Sequence, residues 1–463
     1  MIEFFRRLTQ AKAPREAAPT ASAPGAEVAG TRVAPADAIQ FHVSSYADPH
    51  GRVFVRNGEI FRGLSAEAAE FANGLFERGV VDELVARKLL IPTKRSALAV
   101  AAFALVLEHR RVAHVSYPFE WSGEMLRAAA LLVLELAEAL AAHGLTLKDA
   151  HGWNVLFDGC HPVFVDFGSI VPAQAAGAWN AHVEREFREY FLHPLALIAA
   201  GHGRIARALG RDFEQGIRLE DCAQLVHAAG GTLPAHEEVK PFAWYRECIA
   251  GLNLQSASKG WVGYYDGEFP PLAPDATWTP KHQAVHALLQ EFRPATVLDI
   301  GANRGWYAML AAKGGASAVA YDNDEVCINQ LFADARQAGL AVQPLVMSCL
   351  NPTPRYGLGE GLMESAAERL GSDLVLGLAL VHHMVFKMHL NFDQIAAAFA
   401  AYEPKVLVVE FPPATDIHVS QWMTPRYAWY TEENFRRALR RYFPKIRAVA
   451  SHPTPRILLV CER

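Results

Sequence analysis

The run Val297 to Gly305, VLDIGANRG, constrains this 463-residue chain more than any other. Val297, Leu298 and Ile300 surround an acid and lead straight into glycines, the pattern of a buried parallel strand ending in a tight turn. Beyond the turn, Trp306 to Lys313 has helical composition, so the unit is strand, glycine turn, helix. Ala318 to Asp322 (AVAYD) then gives a second apolar strand that also ends in an acid. A unit of this kind places a nucleotide-like ligand at the carboxyl ends of its strands. Gly301 and Gly305 let the backbone approach that ligand with no Cβ in the way. Asp322 lies about 20 residues past the turn, where an acid takes ribose hydroxyls.

The dinucleotide fingerprint G-x-G-x-x-G is absent, and Asp299 precedes the turn. A carboxylate there repels a pyrophosphate and suits the cationic aminoacyl end of S-adenosylmethionine. The combination DIGANRG followed by AYDND resembles the first two motifs of class I S-adenosylmethionine-dependent methyltransferases. That resemblance implies a Rossmann-like α/β sheet and a set of cofactor residues: Asp299, Gly301, Asn303, Gly305, Asp322 and Asn323. Where relatives carry an adenine-binding Asp, this chain has Ser348, whose hydroxyl can take part in the same bond.

Asp373 to His383 is a nearly continuous apolar run, expected to be a central strand covered on both faces. It ends in His382 and His383 at the mouth where such enzymes present residues to the methyl acceptor. One of the two is expected to serve as general base, since alternating strand geometry sends them to opposite faces. Lys405 to Pro413 reads as a fifth strand with Glu410 facing a polar acceptor, and Asp416 follows in the loop. Trp422, Tyr427, Trp429 and Tyr430 form either a substrate lid or core packing. Ile446 to Val449 and Ile457 to Val460 resemble the final antiparallel hairpin of the methyltransferase fold.

The N-terminal half carries a second pattern. Gly51 to Arg62 has Asn-Gly between alternating apolar residues, a hairpin signature. Ser65 caps a helix over residues 66–78, a second helix follows near residues 81–88, and residues 105–109 and 112–115 suggest another hairpin. After a long Ala/Leu-rich helix come Asp149, Asn154 five residues later, and Asp166-Phe167-Gly168. This resembles the catalytic and metal loops of protein kinases and small-molecule phosphotransferases. The resemblance implies that Asp149 orients an acceptor hydroxyl, and that Asn154 and Asp166 hold Mg²⁺ in an ATP site. The chain departs from that family: Leu147-Lys148 stands where His-Arg precedes the Asp, and no Gly-rich phosphate loop or strand lysine lies upstream. The N-terminal half is therefore read as a degenerate kinase-like α+β domain that binds substrate or serves as scaffold. The wording KDA-x-x-x-NV-x-F then PVFVD also resembles bacterial two-part proteins, including nodulation-type and glycan-modifying methyltransferases, in which a kinase-like segment precedes the methyltransferase.

The expected domains are an Ala/Pro-rich disordered tail over 1–38, a kinase-like domain over 40–230, a connecting and covering segment over 231–280, and the methyltransferase over 281–463. Within the covering segment, the aromatic, Gly/Pro-rich residues 259–280 are expected to line the pocket or to pack as a linker. The net charge of −5 and the lack of a basic block disfavour a nucleic-acid acceptor; a small molecule or glycan is expected, with a protein substrate also open. Six scattered cysteines without a C-x-x-C pair point away from a zinc site or disulfide framework and fit a reducing cytoplasm. No apolar run reaches the roughly 20 residues of a membrane span. Two other functions stay open at this point: a bifunctional kinase–methyltransferase, and a non-catalytic binding or regulatory protein. The sequence carries no signal for oligomeric state.

Overall fold

Asn57 and Gly58 both sit at positive φ, 53° and 83°, the backbone a two-residue hairpin turn requires. They join the two strands foreseen around them. In a computed structural model, which describes residues 32–34, 39–42, 45, 48, 50–173, 177–233, 238–254 and 269–463, these strands belong to a five-stranded antiparallel sheet. Its members are β1 (Gln40–Phe41), β2 (Gly51–Arg56), β3 (Glu59–Leu64), β4 (Thr93–Arg95) and β5 (Leu105–His109), ordered β1-β2-β3-β5-β4. Both edges of β5 are taken, by β3 and β4. Residues 112–115 therefore have no partner edge, and the hairpin expected there does not form. Ser65 caps the helix Ala66–Glu77, its Oγ accepting from the Ala68 amide, and Val80–Ala86 follows.

Within the expected tail, Arg32–Ala34 pairs in parallel with Leu98–Val100, so main-chain bonds order a piece whose composition alone does not. Residues 1–31 and 35–38 lie outside the described residues, as do 255–268 of the expected covering segment.

The Ala/Leu-rich stretch is the helix Gly123–Ala142, capped by Ser122 and buried on most of its surface. Its polar interruptions point outward to partners: Arg127 donates to the Leu252 carbonyl and Glu138 pairs with Arg246. Two short antiparallel ladders follow, Leu145–Leu147 with Ile170–Pro172 and Val155–Asp158 with His161–Phe164. They fold the Asp149 and Asp166 segments against each other.

The C-terminal sheet has seven strands: β6 (Thr296–Ile300), β7 (Ser317–Asp322), β8 (Val342–Val346), β9 (Leu374–Gly377), β10 (Val406–Phe411), β11 (Lys445–Ala450) and β12 (Ile457–Glu462). Their order is β8-β7-β6-β9-β10-β12-β11. All neighbours run parallel except the closing hairpin, where β12 lies antiparallel to both β10 and β11. The chain leaves β6 in one direction to β7 and returns on its other side at β9. The switch point, where α/β sheets bind ligands, thus falls at the carboxyl end of β6, on VLDIGANRG.

The strand foreseen over 373–383 is shorter than expected. β9 ends at Gly377, Ala379 turns the chain at φ 54°, and Val381–Phe386 is a helix. An apolar run buried on all sides has no period to separate strand from short helix, which is why the sequence misleads here.

The halves are not independent in packing. One continuous hydrophobic core runs from Leu64 through the Gly123–Ala142 helix to Cys461. Cys160 donates to the Val342 carbonyl on the edge strand β8, and Gly159, at φ 60°, allows the approach: a Cβ there would lie 3.2 Å from the Ala341 Cα. Among the described residues, no helix is long and apolar enough to cross a membrane.

Candidate functional site

The turn after β6 is built from left-handed backbone. Gly301, Asn303 and Gly305 have φ of 68°, 53° and 69°. The Gly301 and Ala302 amides donate to the Tyr321 carbonyl at 2.9 and 3.1 Å, tying the turn to β7. Added Cβ atoms would collide, with Leu380 at 2.6 Å from position 301 and Leu331 at 2.4 Å from position 305. The Asp322 carboxylate accepts from the Asn303 and Asp324 amides, both at 2.9 Å, so it clamps the turn as well as facing the mouth. Burial raises its pKa, and those amide bonds only partly oppose the rise. Asn323 is exposed beside it, and Ser348 is half-buried beyond β8, its Oγ accepting from the Leu350 amide at 3.3 Å.

Asp299 is only 2% exposed. Burial pushes its carboxyl up to about 7; Lys281 opposes this and Asp322 reinforces it. Its Oδ2 is buried and makes no hydrogen bond among the described residues. Six of the expected cofactor residues thus converge on the ends of β6 and β7, with Ser348 beyond the end of the neighbouring β8.

The expected acceptor residues divide. His382 and His383 lie on one helix, not on a strand, with ring centroids 4.2 Å apart and Trp422 within 6.0 Å of both. They do not point to opposite faces. Burial holds His382 down to about 3 and His383 to about 4, so both are neutral imidazoles. Glu410 does not face an acceptor: it is 0% exposed. It accepts from Lys281 Nζ at 3.0 Å, Ser451 Oγ at 2.6 Å and the Ala379 amide at 2.9 Å. Arg456 lies 3.9 Å away and bridges to Asp416 at 2.7 Å. Burial alone would raise Asp416, but Arg456 and the His418 and Val419 amides bring it below the usual carboxylate range. This network pins Ala379 in its strained conformation, the link that sets the direction of the histidine helix. Of the aromatic cluster, Tyr430 is buried in the core with its hydroxyl on the Pro412 carbonyl, while Trp422 lies against the histidines.

Lys281, Ala379 and Arg456 escape sequence reading because their partners lie far along the chain. Glu410→Gln keeps the shape but leaves Lys281 facing a neutral group. It is expected to lower stability by about 2 kcal/mol, measured by urea denaturation; an unchanged midpoint would remove Glu410 from this positioning role.

In the N-terminal half, Asp149, Asn154 and Asp166 do come together, on the wall of a cleft of about 720 Å³. Their engagements are not those of a metal site. Asp166 Oδ1 accepts from Arg62 Nη2 at 2.7 Å and from its own loop's Gly168 amide at 3.2 Å. Asn154 donates to the Asp149 carbonyl at 3.1 Å. Arg62 also lies 3.7 Å from Asp48. Gly168 makes room for this pairing, since a Cβ there would sit 2.9 Å from Arg62 Nη1. The signal for Arg62 was available: it shares one face of β3 with Ile60 and Leu64, an odd place for a cation. Among the described residues, no group of three His, Cys, Asp or Glu side chains is placed to hold a metal.

No family model matches the chain. The resemblance to nodulation-type proteins is borne out: the chain is 29% identical over 468 residues to the nodulation protein NoeA of Rhizobium meliloti (strain 1021), covering 90% of this chain and 95% of that protein. Among solved structures, the bifunctional kinase-methyltransferase WbdD overlaps 43% of this chain and 46% of its own at 16% identity, with a TM-score of 0.31. Magnesium protoporphyrin IX methyltransferase from Synechocystis PCC 6803 with bound SAM overlaps 39% of this chain and 78% of its own at 13% identity and a TM-score of 0.28. Overlaps this loose carry no weight for fold or function.

Proposed function

We propose that this chain is an S-adenosylmethionine-dependent methyltransferase acting on an oxygen or nitrogen of a small-molecule or glycan acceptor. Asp299 carries the reading. Its buried Oδ2 has no hydrogen bond among the described residues and stands at the switch point beside a turn of left-handed backbone. Such a group suits an ammonium and repels a phosphate. The residues fit the cofactor: Asp299 for the ammonium, the Gly301, Asn303 and Gly305 backbone for the aminoacyl chain, Asp322 for the ribose, and Asn323 and Ser348 toward the adenosine. When bound, the cofactor supplies a methyl group activated by its sulfonium.

The chain's own part is alignment, water exclusion and one proton. His383 is half-buried, whereas His382 is 3% exposed, so His383 is the residue assigned to take the acceptor's proton at a ring nitrogen. Held neutral by burial, it has a lone pair for that proton at physiological pH. Glu410, Lys281 and Arg456 act through Ala379, fixing where the histidine helix starts. The N-terminal half is read as a module joined to the sheet through the shared core; the relative's match across 90% of this chain supports treating both halves as one unit.

Calorimetric titration with S-adenosylhomocysteine tests this directly. One site per chain with a Kd of about 1–10 µM is expected, weakened at least about tenfold in Asp322→Ala. An absence of heat at ligand concentrations well above that range would overturn the reading.

A further inference from the structure

The cleft beside Asp149 shares no residue with the mouth assigned to the cofactor. It is bounded on one side by the N-terminal sheet and hairpins and on another by residues 363–369 of the C-terminal half, so both halves build it. Polar atoms converge on it, and several are already committed. Arg62 is held by Asp166 and Asp48, Arg110 by Asp158, Arg111 by the Gly58 carbonyl and Arg369 by Glu120. The lining carries as many cationic side chains as carboxylates. A triphosphate needs an excess of positive charge or a metal to neutralise it. This wall offers neither, because Asp166, the expected metal ligand, is bonded to a guanidinium. ATP with Mg²⁺ therefore does not fit the residues present.

What the cleft offers instead is a set of neutral and anionic acceptors beside an aromatic face. His109 is 6% exposed and lines the cleft. Its tautomer follows from its neighbour. The Thr93 hydroxyl donates its one proton to the Ile91 carbonyl at 2.8 Å, so at the 2.9 Å contact Thr93 accepts and His109 Nδ1 is the donor. Nε2 is then a lone-pair acceptor, buried and with no hydrogen bond among the described residues. Burial holds this imidazole neutral, pushed down to about 3, with the Arg62 charge adding to the effect. Trp153 is half-buried beside Tyr117, Phe119 and Phe213, at centroid distances of 5.4, 6.0 and 6.4 Å, and its buried Nε1 also has no hydrogen bond among the described residues. Asp149 brings a half-buried carboxylate, 3.6 Å from Lys148.

We propose that this cleft is a metal-independent binding site for a neutral, hydroxyl-rich ligand, a glycan, with His109 Nε2 and the Asp149 carboxylate accepting from its hydroxyls and Trp153 packing on a sugar face. Hydroxyls supply the donors that those acceptors lack, and a pyranose supplies the C–H face that an aromatic wall takes. A neutral ligand also leaves the internal ion pairs of the wall intact. The site stands or falls apart from the cofactor assignment, since no group is common to both.

The test is calorimetry on the full chain with neutral tetrasaccharides of glucose, mannose and N-acetylglucosamine, each with and without EDTA, and with ATP and Mg²⁺ as competitor. At least one tetrasaccharide is expected to bind, unaffected by EDTA and not displaced by ATP. Trp153→Ala and the isosteric Asp149→Asn are each expected to weaken it about tenfold or more, with thermal melts showing that both variants are folded. If no tetrasaccharide binds, the proposal is overturned. Binding that both folded variants retain would place the sugar elsewhere and overturn it too. ATP–Mg²⁺ binding lost in Asp166→Asn would replace it with the phosphotransferase reading.

Discussion

Asp299→Asn is expected to weaken S-adenosylhomocysteine binding about 30-fold or more at pH 8, and to remove most of its pH dependence below neutrality. On the proposed reading, the ammonium in the wild type pairs with a carboxylate whose pKa burial has raised to about 7. Below that pH the proton must leave before the ammonium can pair, so affinity is expected to fall about tenfold per pH unit. The asparagine has no proton to release and lacks that slope. The folded protein alone gives a second readout. Unfolded Asp titrates near 3.9, so between about pH 4 and 7 the native state keeps a proton that the unfolded chain has lost. Stability contributed by the protonated carboxyl is complete below this window and is lost as pH rises through it. The integrated effect is on the order of 4 kcal/mol. Urea titrations at pH 5 and pH 8, which span the upper part of this window, should show about 2–3 kcal/mol of that drop in the wild type and a flatter profile in Asp299→Asn. A wild-type affinity flat from pH 5.5 to 8 would separate Asp299 from the ammonium.

The behaviour of this acid explains what the sequence conveys. The strand-and-turn unit around it is legible because local sequence determines it: β-branched residues at 297 and 300, glycines at 301 and 305, and an acid at the end of the next strand. Those features need no knowledge of distant residues. The closing hairpin over 445–450 and 457–462 and the N-terminal Asn57-Gly58 turn are legible for the same reason. What escapes is whatever depends on distant partners. Glu410 reads as a residue at the mouth of the sheet, yet Lys281, 129 positions earlier, and Ser451 turn it inward. Asp166 reads as a metal ligand, and the sequence gives no hint that Arg62, 104 positions earlier, donates to its Oδ1. His382 and His383 fail differently. Their flanking residues are apolar on every side, so neither a period of two nor one of 3.6 can be read from them.

The second large effect concerns the joint between the halves. Arg369 and Glu120 are 249 positions apart in the chain, and their side chains are 0% and 1% exposed. Arg369 grips the carboxylate with both terminal nitrogens, donates to the Val115 and Glu364 carbonyls and lies 3.8 Å over the Tyr117 ring. Glu120 accepts in addition from Thr353 Oγ1 at 2.6 Å and the Tyr117 amide at 2.8 Å. Arg369→Met keeps much of the apolar bulk but leaves the buried Glu120 charge without its cation. It is expected to destabilise the protein by about 3–5 kcal/mol. Because the core is continuous across the halves, the loss should appear as one cooperative transition moved to lower urea rather than as separate melting of the C-terminal sheet. Adding Glu120→Gln to Arg369→Met removes the stranded charge, and the double variant is expected to recover part of the loss. Two resolved transitions in the single variant would mean that the halves fold separately and that the pair is a hinge contact. A double variant no more stable than Arg369→Met would mean that the lost guanidinium bonds to the Val115 and Glu364 carbonyls, rather than the unpaired carboxylate, dominate at this joint.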